Sequence, residues 1–296
     1  MTMEWDTLAI RGGDADSTFG TLWQSAADSS MLVVWDNITQ EVHALDYDLR
    51  PLWRFGRKGA GPGEFRQGRS IAFTPTGEIL IFDVGTQRVT FLTRDGMLRT
   101  TVVLEERLDQ VVPWTSGKLL GTAPRRNGSQ FVVMRDDGQV STSLEVPWDG
   151  FADLHSLLQS GYIASDPATA SAAFIMIYGD GWFAVGEQPG LPYLGRYIEH
   201  LEMPSVLEER DRRQIIGGTL AGQGVDVQDG MVTVLYEGGG PDAKRWLDQY
   251  QFSDGSYVGS YLLPRRISGF SSAPDGSYFV IFNDPSPTIM RLRPKR

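Results

Sequence analysis

Short apolar runs separated by breaks that carry Gly and Asp dominate this chain. The clearest stretch lies between Trp53 and Leu104. There Ser70–Phe73, Glu78–Phe82, Arg88–Leu92 and Met97–Leu104 are interrupted at Thr76-Gly77, Val84–Gln87 and Asp95-Gly96. Runs of this length, rich in Ile, Val, Phe and Leu and bounded by turn formers, predict strands joined by tight turns. Strands packed at this density, four in about 40 residues, make one small antiparallel sheet the size of a propeller blade.

The unit recurs. Residues 19–55 carry strand-like runs near Gly20–Ala26, Met31–Trp35, Glu41–Asp46 and Pro51–Phe55. The stretch above makes a second unit over 66–104, and residues 108–147 a third, with runs at Gln110–Trp114, Lys118–Thr122, Gln130–Arg135 and Val140–Val146. Residues 152–203 are irregular: their best pair is Ala172–Tyr178 and Trp182–Glu187 around Gly179-Asp180-Gly181, with Ser165–Ala173 reading as an inserted loop. Gly224–Val227, Met231–Glu237, Trp246–Phe252 and Tyr257–Leu263 fill 220–263. Ile267–Ser272, Tyr278–Asn283 and Thr288–Arg293 fill 266–293. The expected first-to-second-strand turns, at Ser30, Gly77, Gly117, Gly181, Gly230 and Gly276, recur at blade-like intervals of roughly 40 to 50 residues, with one longer gap. A β-sandwich does not suit six recurrences of one four-strand unit. The fold expected is all-β: a single six-bladed propeller of four-stranded antiparallel blades spanning residues 1–296.

Trp5–Ile10 is strand-like but has nothing before it to pair with. The loop after it, Gly12–Phe19, parallels Gly56–Phe65, which joins one blade to the next. Trp5–Ile10 is therefore expected to be the outermost strand of the last blade, closing the ring and removing its open edge. Between 204 and 217, Ser205 followed by Glu208 is a capping-box pattern, and Gly217 supplies a stop. One short helix near 205–216 is expected there, outside the ring.

Phe55-Gly56, Gly59–Phe65, Ile71-Ala72-Phe73, Gly77, Ile81-Phe82-Asp83, Arg88-Val89 and Asp95-Gly96 resemble an NHL-type repeat. The resemblance is carried by this one blade and implies a six-bladed β-propeller.

The net charge of −10 and the pI of about 4.8 disfavour phosphate backbones, so no nucleic-acid partner is expected. The basic cluster Arg54, Arg57, Lys58, Arg66 and Arg69 is expected to pair with nearby acids or to steer an anionic ligand. The absence of Cys removes disulfides, thiolate metal sites and Cys nucleophiles. No apolar run approaches the length of a membrane span, and the first residues have neither the basic nor the apolar segment of a leader. A soluble monomer is expected. Its compartment is not fixed, and it is extracytoplasmic if a leader has been removed.

Candidate chemistry is sparse. The Gly56–Gly63 loop lacks the Gly-Lys-Ser/Thr ending of a phosphate loop and leads into a strand, so it reads as an inter-blade turn. Asp14 and Asp16 start like a calcium loop, but Phe19 and Ser25 hold the places where Gly and an acid belong. His43 reads as structural, His200 as solvent-facing, and His155 as a residue able to line the central channel. Gly269-Phe270-Ser271-Ser272-Ala273 is only a near miss to a nucleophile elbow.

Aligning the blades gives the best candidate set. Asp36, Asn37, Asp83, Glu187, Glu237 and Asn283 end the expected second strands, with Arg125 in the third blade, and all should open on one rim of the ring. Asp and Asn after a strand also commonly bond their own turn backbone, which is the plainer reading of the row. Two functions follow. One is a binding propeller holding a protein, a peptide or a small molecule on this loop face, near Asp36, Asn37, Asp83, Arg125, His155, Glu187, Glu237 and Asn283. The alternative is a metal-dependent hydrolase or lyase resembling the gluconolactonase, strictosidine-synthase or peptide-amidating-lyase propellers. Those resemblances imply a divalent cation in the channel. A Ca²⁺ site built from Asp36, Asp83, Glu187 and Asn283 is permitted but not demanded.

Overall fold

A strand that is apolar at every position needs cover on both faces. Met31–Asp36, Ile79–Asp83, Ser171–Met176 and Tyr278–Phe282 meet that condition, since each is buried throughout. The computed structural model describes residues 4–13, 18–115, 117–123, 131–144, 146, 148, 150–151, 153–186, 191–199, 201–209, 212–238 and 242–295. In it these are the second strands of four of the six four-stranded antiparallel sheets, which are arranged as a ring.

The first blade pairs Leu22–Ala27, Met31–Asp36, Glu41–Asp46 and Pro51–Gly56 in sequence order. The second pairs Gly68–Phe73, Ile79–Asp83, Arg88–Leu92 and Leu98–Val103. Gln110–Pro113, Lys118–Thr122, Phe131–Arg135 and Val140–Leu144 form the third. The fourth uses Gly161–Asp166, Ser171–Met176, Gly181–Gly186 and Tyr193–Arg196. The fifth uses Gly222–Gln228, Met231–Tyr236, Trp246–Gln251 and Tyr257–Leu262. Gly269–Ser272, Tyr278–Phe282 and Thr288–Pro294 form the sixth with the N-terminal Trp5–Gly12.

Side-chain alternation along each strand explains the packing. Leu32 and Val34 pack toward the sixth blade against Phe279 and Ile281. Their neighbours Met31, Val33 and Trp35 point the other way, onto Ile71, Ile79 and Ile81 of the second blade. One such cluster lies at every blade-to-blade junction round the ring. Each fully buried Leu, Val, Ile or Phe in them is worth about 1.5–3 kcal/mol relative to exposure. The outermost strands are far more polar and exposed, as in Leu98–Val103. The innermost strand of each blade touches the innermost strands of its neighbours, so these strands wall a central channel.

Ring closure follows the expectation for Trp5–Ile10 and extends it by two residues. Trp5 pairs with Pro294 and Gly12 with Thr288 at the two ends of the ladder. The Trp5 indole N–H donates to the Leu262 carbonyl at 2.7 Å, and its ring meets Tyr261 and Tyr278 edge-on.

The expected helix near 205–216 is instead a β-hairpin, Ser205–Glu209 paired with Arg212–Ile216. Val206, Ile215 and Ile216 favour extended backbone. The acidic and basic blocks that look like helical ion pairs face each other across the strands, with Arg213 Nε 3.3 Å from Glu208. Ser205 Oγ donates to the Ile216 carbonyl at 3.4 Å instead of capping a helix.

The fourth blade also differs from its sequence reading. Its first strand is Gly161–Asp166, so the pair flanking Gly179–Gly181 is the second and third strands, and Ser165 and Ser171–Ala173 are strand residues. Their small side chains suit the crowded ring: a Cβ on Gly161 would lie 2.1 Å from the Ile175 carbonyl oxygen. Among the described residues there is no helix, hence none long and apolar enough to cross a membrane.

Candidate ligand site in the central channel

The inner strands converge because they carry small residues where they approach the axis. Ser25, Ala26, Ala72, Ala164, Ser165 and Gly224 all border a central cavity of about 720 Å³. One mouth of this cavity is reached by the loops that lead into the first strands and follow the second strands; Thr21, Lys244, Ser268 and Asn283 border it there. The other is framed by first-to-second-strand turns, including Asp28, Thr74-Pro75, Asp166–Thr169 and Asp229-Gly230.

Three inner strands are bulged near the first mouth. In the second blade, Gly68 pairs with Asp83 and Ser70 with Phe82, which leaves Arg69 as the extra residue. In the fifth, Gly222 pairs with Tyr236 and Gly224 with Leu235, leaving Gln223. In the first, the register slips within Leu22–Ser25, across Trp23-Gln24. A bulge takes a residue out of strict alternation and re-aims its side chain. Trp23, Gln24 and Gln223 border the cavity, and the Arg69 guanidinium carbon stands 5.6 Å from the centre of the Tyr162 ring, which also borders it. Arg69 and Tyr162 belong to the second and fourth blades, so their contact reaches past the third.

The two ends of the channel differ in charge. Arg69 lies over the Tyr162 ring, Glu237 acts on its phenol electrostatically, and Glu237 is 3.7 Å from Lys244. Burial pushes the Glu237 carboxyl up, while Lys244 and Arg266 pull it back. Burial likewise raises the Asp109 carboxyl against the pull of Arg69 and Arg107, and the Tyr162 phenol, which Arg69 lowers and Glu237 raises. The opposite end carries Asp28, Asp166, Asp226 and Asp229. Asp28 is neutralised by Arg94. Asp226 accepts the Ser272 N–H at 2.6 Å and the Val227 N–H at 3.0 Å. Burial raises its carboxyl, and the neighbouring Asp166 charge adds to the rise.

The residues expected at the rim mostly do something else. Asp36 is fully buried and accepts from the backbone N–H groups of Gly20, Thr21, Ile38 and Thr39. Asp83 accepts from the N–H groups of Arg66, Gln67 and Gly85 and from the Thr86 hydroxyl, all at 2.9 Å. Both carboxylates thus lash the incoming inter-blade loop to the turn after the second strand. Asn37 is exposed beside them, and its backbone N–H donates to the Thr21 carbonyl. Asn283 clasps Leu22 of the next blade in both directions, at 3.0 and 2.7 Å, and borders the cavity. His155 is not a channel residue. Its Nε2 donates to Glu208 of the external hairpin at 2.8 Å, and its Nδ1 accepts from the Leu157 N–H. Arg125, Glu187, His200, Asp14 and Asp16 lie outside the described residues. Among the described residues no three His, Asp or Glu side chains gather in an arrangement able to hold a metal ion.

Tyr162, Gln223 and Asp226 escaped the sequence reading, which placed Arg69 only in a basic cluster expected to pair with acids or to steer an anionic ligand. A signal for three of these four existed: Gly68-Arg69, Gly161-Tyr162 and Gly222-Gln223 each open an inner strand with Gly followed by one large polar residue. Gly is needed there because a Cβ would strike a neighbour, for instance Trp35 at 2.3 Å above Gly68. The bulge that re-aims the next side chain leaves no such mark in the sequence.

No protein-family model matches the sequence, and no curated protein matches it. Solved structures do. A Bacteroides fragilis NCTC 9343 protein described as exported superposes with a TM-score of 0.63 at 11% identity, covering 99% of this chain and 96% of its own. Virginiamycin B lyase from Staphylococcus aureus gives 0.58 at 9% identity over 98% and 99%. The WD40 β-propeller domain of Doa1 gives 0.56 at 12% identity over 94% and 80%. At these identities the likeness is one of fold: all three support the propeller architecture.

Proposed function

We propose that this chain is a ligand-binding propeller whose site is the central channel, and that its ligand is a small molecule or the end of a peptide. The observation that carries the reading is the 720 Å³ cavity, into whose walls bulges turn Trp23, Gln24 and Gln223. Its volume falls inside the range of about 300–1,000 Å³ typical of small-molecule sites. Aromatic walls with a few convergent polar groups are the usual make-up of such sites. The NHL-type kinship of the second blade belongs to the same proposal, as does a working face at the first mouth, where Asn283 and Lys244 stand.

The metal-dependent hydrolase or lyase is less well supported. It would need Asp36 and Asp83 as ligands, yet each carboxylate is already engaged by four donors. Releasing them for a cation would undo the inter-blade loops.

A thermal-shift screen of small molecules and short peptides, run in parallel on the parent and on Ala72→Trp, tests the reading. Ala72 borders the cavity and is only partly buried, so an indole there intrudes into the channel. Compounds that stabilise the parent by binding its native state should lose that effect in Ala72→Trp. Equal stabilisation of both proteins would place binding elsewhere and overturn the proposal.

A further inference from the structure

We infer that the first mouth of the channel recognises an oxyanion, a carboxylate or a phosphate, through Arg69 held over Tyr162, with Lys244 as a second cation. This inference rests on the channel being the binding site. The Arg69 guanidinium is presented by a bulge and stacked on an aromatic face 5.6 Å away. Among the described residues it makes no hydrogen bond or ion pair, so its donors remain available to a ligand. A planar guanidinium fixed on one face presents its donor fork edge-on, the geometry that grips carboxylate and phosphate in a bidentate manner. Two other arginines set over aromatic rings are spent otherwise, Arg94 on Asp28 and Arg99 on Glu78, while Arg265, over Phe282, is exposed to solvent.

Local charge balance points the same way. Four cations, Arg69, Arg107, Lys244 and Arg266, act on two carboxylates, Asp109 and Glu237. The region therefore carries surplus positive charge within a protein of net charge −10. The acids at the opposite mouth sharpen the contrast, and a ligand bearing one anionic end would enter with that end toward Arg69.

Three probes of one shape separate the possibilities: benzoate, phenyl phosphate and the neutral benzamide. Binding is measured by calorimetry at low ionic strength to the parent, Arg69→Gln, Arg69→Lys, Lys244→Gln and Ala72→Trp. The expected result is that at least one anionic probe binds the parent about tenfold or more tightly than benzamide, equivalent to about 1.4 kcal/mol. Arg69→Gln should abolish that preference, Arg69→Lys should restore part of it, and Lys244→Gln should lower it. The tighter of the two anions identifies carboxylate or phosphate as the preferred group. Benzamide binding as tightly as both anions, an unchanged preference in Arg69→Gln, or no binding by any probe would overturn the oxyanion assignment and leave the channel reading standing. Anion binding that survives in both Arg69→Gln and Ala72→Trp would overturn both. If Arg69→Gln unfolds, the Lys and Lys244 variants still decide.

Discussion

Asp36 and Gln40, and again Asp83 and Gln87, form the smallest repeating device in the molecule. The Asp gathers donors from the loop arriving at its blade, and the Gln, at positive φ, reaches into the following blade. Gln40 accepts from the Gly68 N–H at 3.3 Å; Gln87 both accepts from the Leu108 N–H at 2.8 Å and donates to its carbonyl at 2.9 Å. Asp83→Asn keeps the shape but trades two charged acceptor oxygens for one neutral one, and places an NH₂ against N–H donors. We expect a loss of about 2 kcal/mol in urea unfolding, in the range for a buried group left unsatisfied, with no dependence on added Ca²⁺ or chelator. Asp226 gives the pH prediction. Unfolded Asp titrates near about 3.9, and burial lifts the folded carboxyl above that value. Between the two values the folded chain keeps a proton that the unfolded chain has lost, so stability falls as pH rises through that window. Asp226→Asn should therefore be more stable than the parent at neutral pH. The advantage should shrink on acidification through the raised value and disappear below the unfolded one; an advantage that grew in acid would contradict the assignment. The row of acids and amides after the second strands was legible as a row, because it recurs with the blade. Its partners were not, because backbone donors from a loop 16 or 17 residues earlier leave no trace in local sequence.

Elements were legible where alternation and turn chemistry agreed. Asp95-Gly96 and Thr76-Gly77 mark their turns because Gly96 and Gly77 sit at φ of 83° and 78°. They failed where two periods fit one stretch. Val206, Leu207, Glu208, Arg213, Gln214 and Ile215 satisfy both a helical charge pattern and a hairpin, and strand pairing won because Val206 and Ile215 sit opposite each other. The fourth blade failed for a different reason: the end of its inner strand and the start of its second, Ala164-Ser165 and Ser171–Ala173, are small residues that sequence patterns assign to loops, and only convergence at the axis makes them strand-compatible. The N-terminal strand was legible by elimination, since it had no earlier partner. Removing residues 1–12 deletes the Trp5 contacts and exposes the edge of Thr288–Pro294. Loss of that burial should cost several kcal/mol, and the bared edge should promote association. Equilibrium unfolding with light scattering checks both; a truncated chain as stable and as monodisperse as the parent would contradict the closure.

The whole molecule divides its labour by radius. Second strands and the apolar clusters between blades supply stability, outer strands meet solvent, and inner strands trade packing for space along the axis. Gly68, Gly161 and Gly222 permit the close approach, and the bulges beside two of them turn side chains inward. Stability and function are thereby assigned to different strands of the same blade, so ligand contacts can vary without disturbing the clusters. Hydrogen–deuterium exchange, with and without saturating amounts of the best binder from the screen, tests this division directly. Protection is expected in peptides covering 22–27, 68–73, 161–166 and 222–228, with the outer strands Leu98–Val103 and Tyr257–Leu262 unchanged. Protection confined to the outer strands or to the 205–216 hairpin, with the inner strands unaffected, would contradict a channel site.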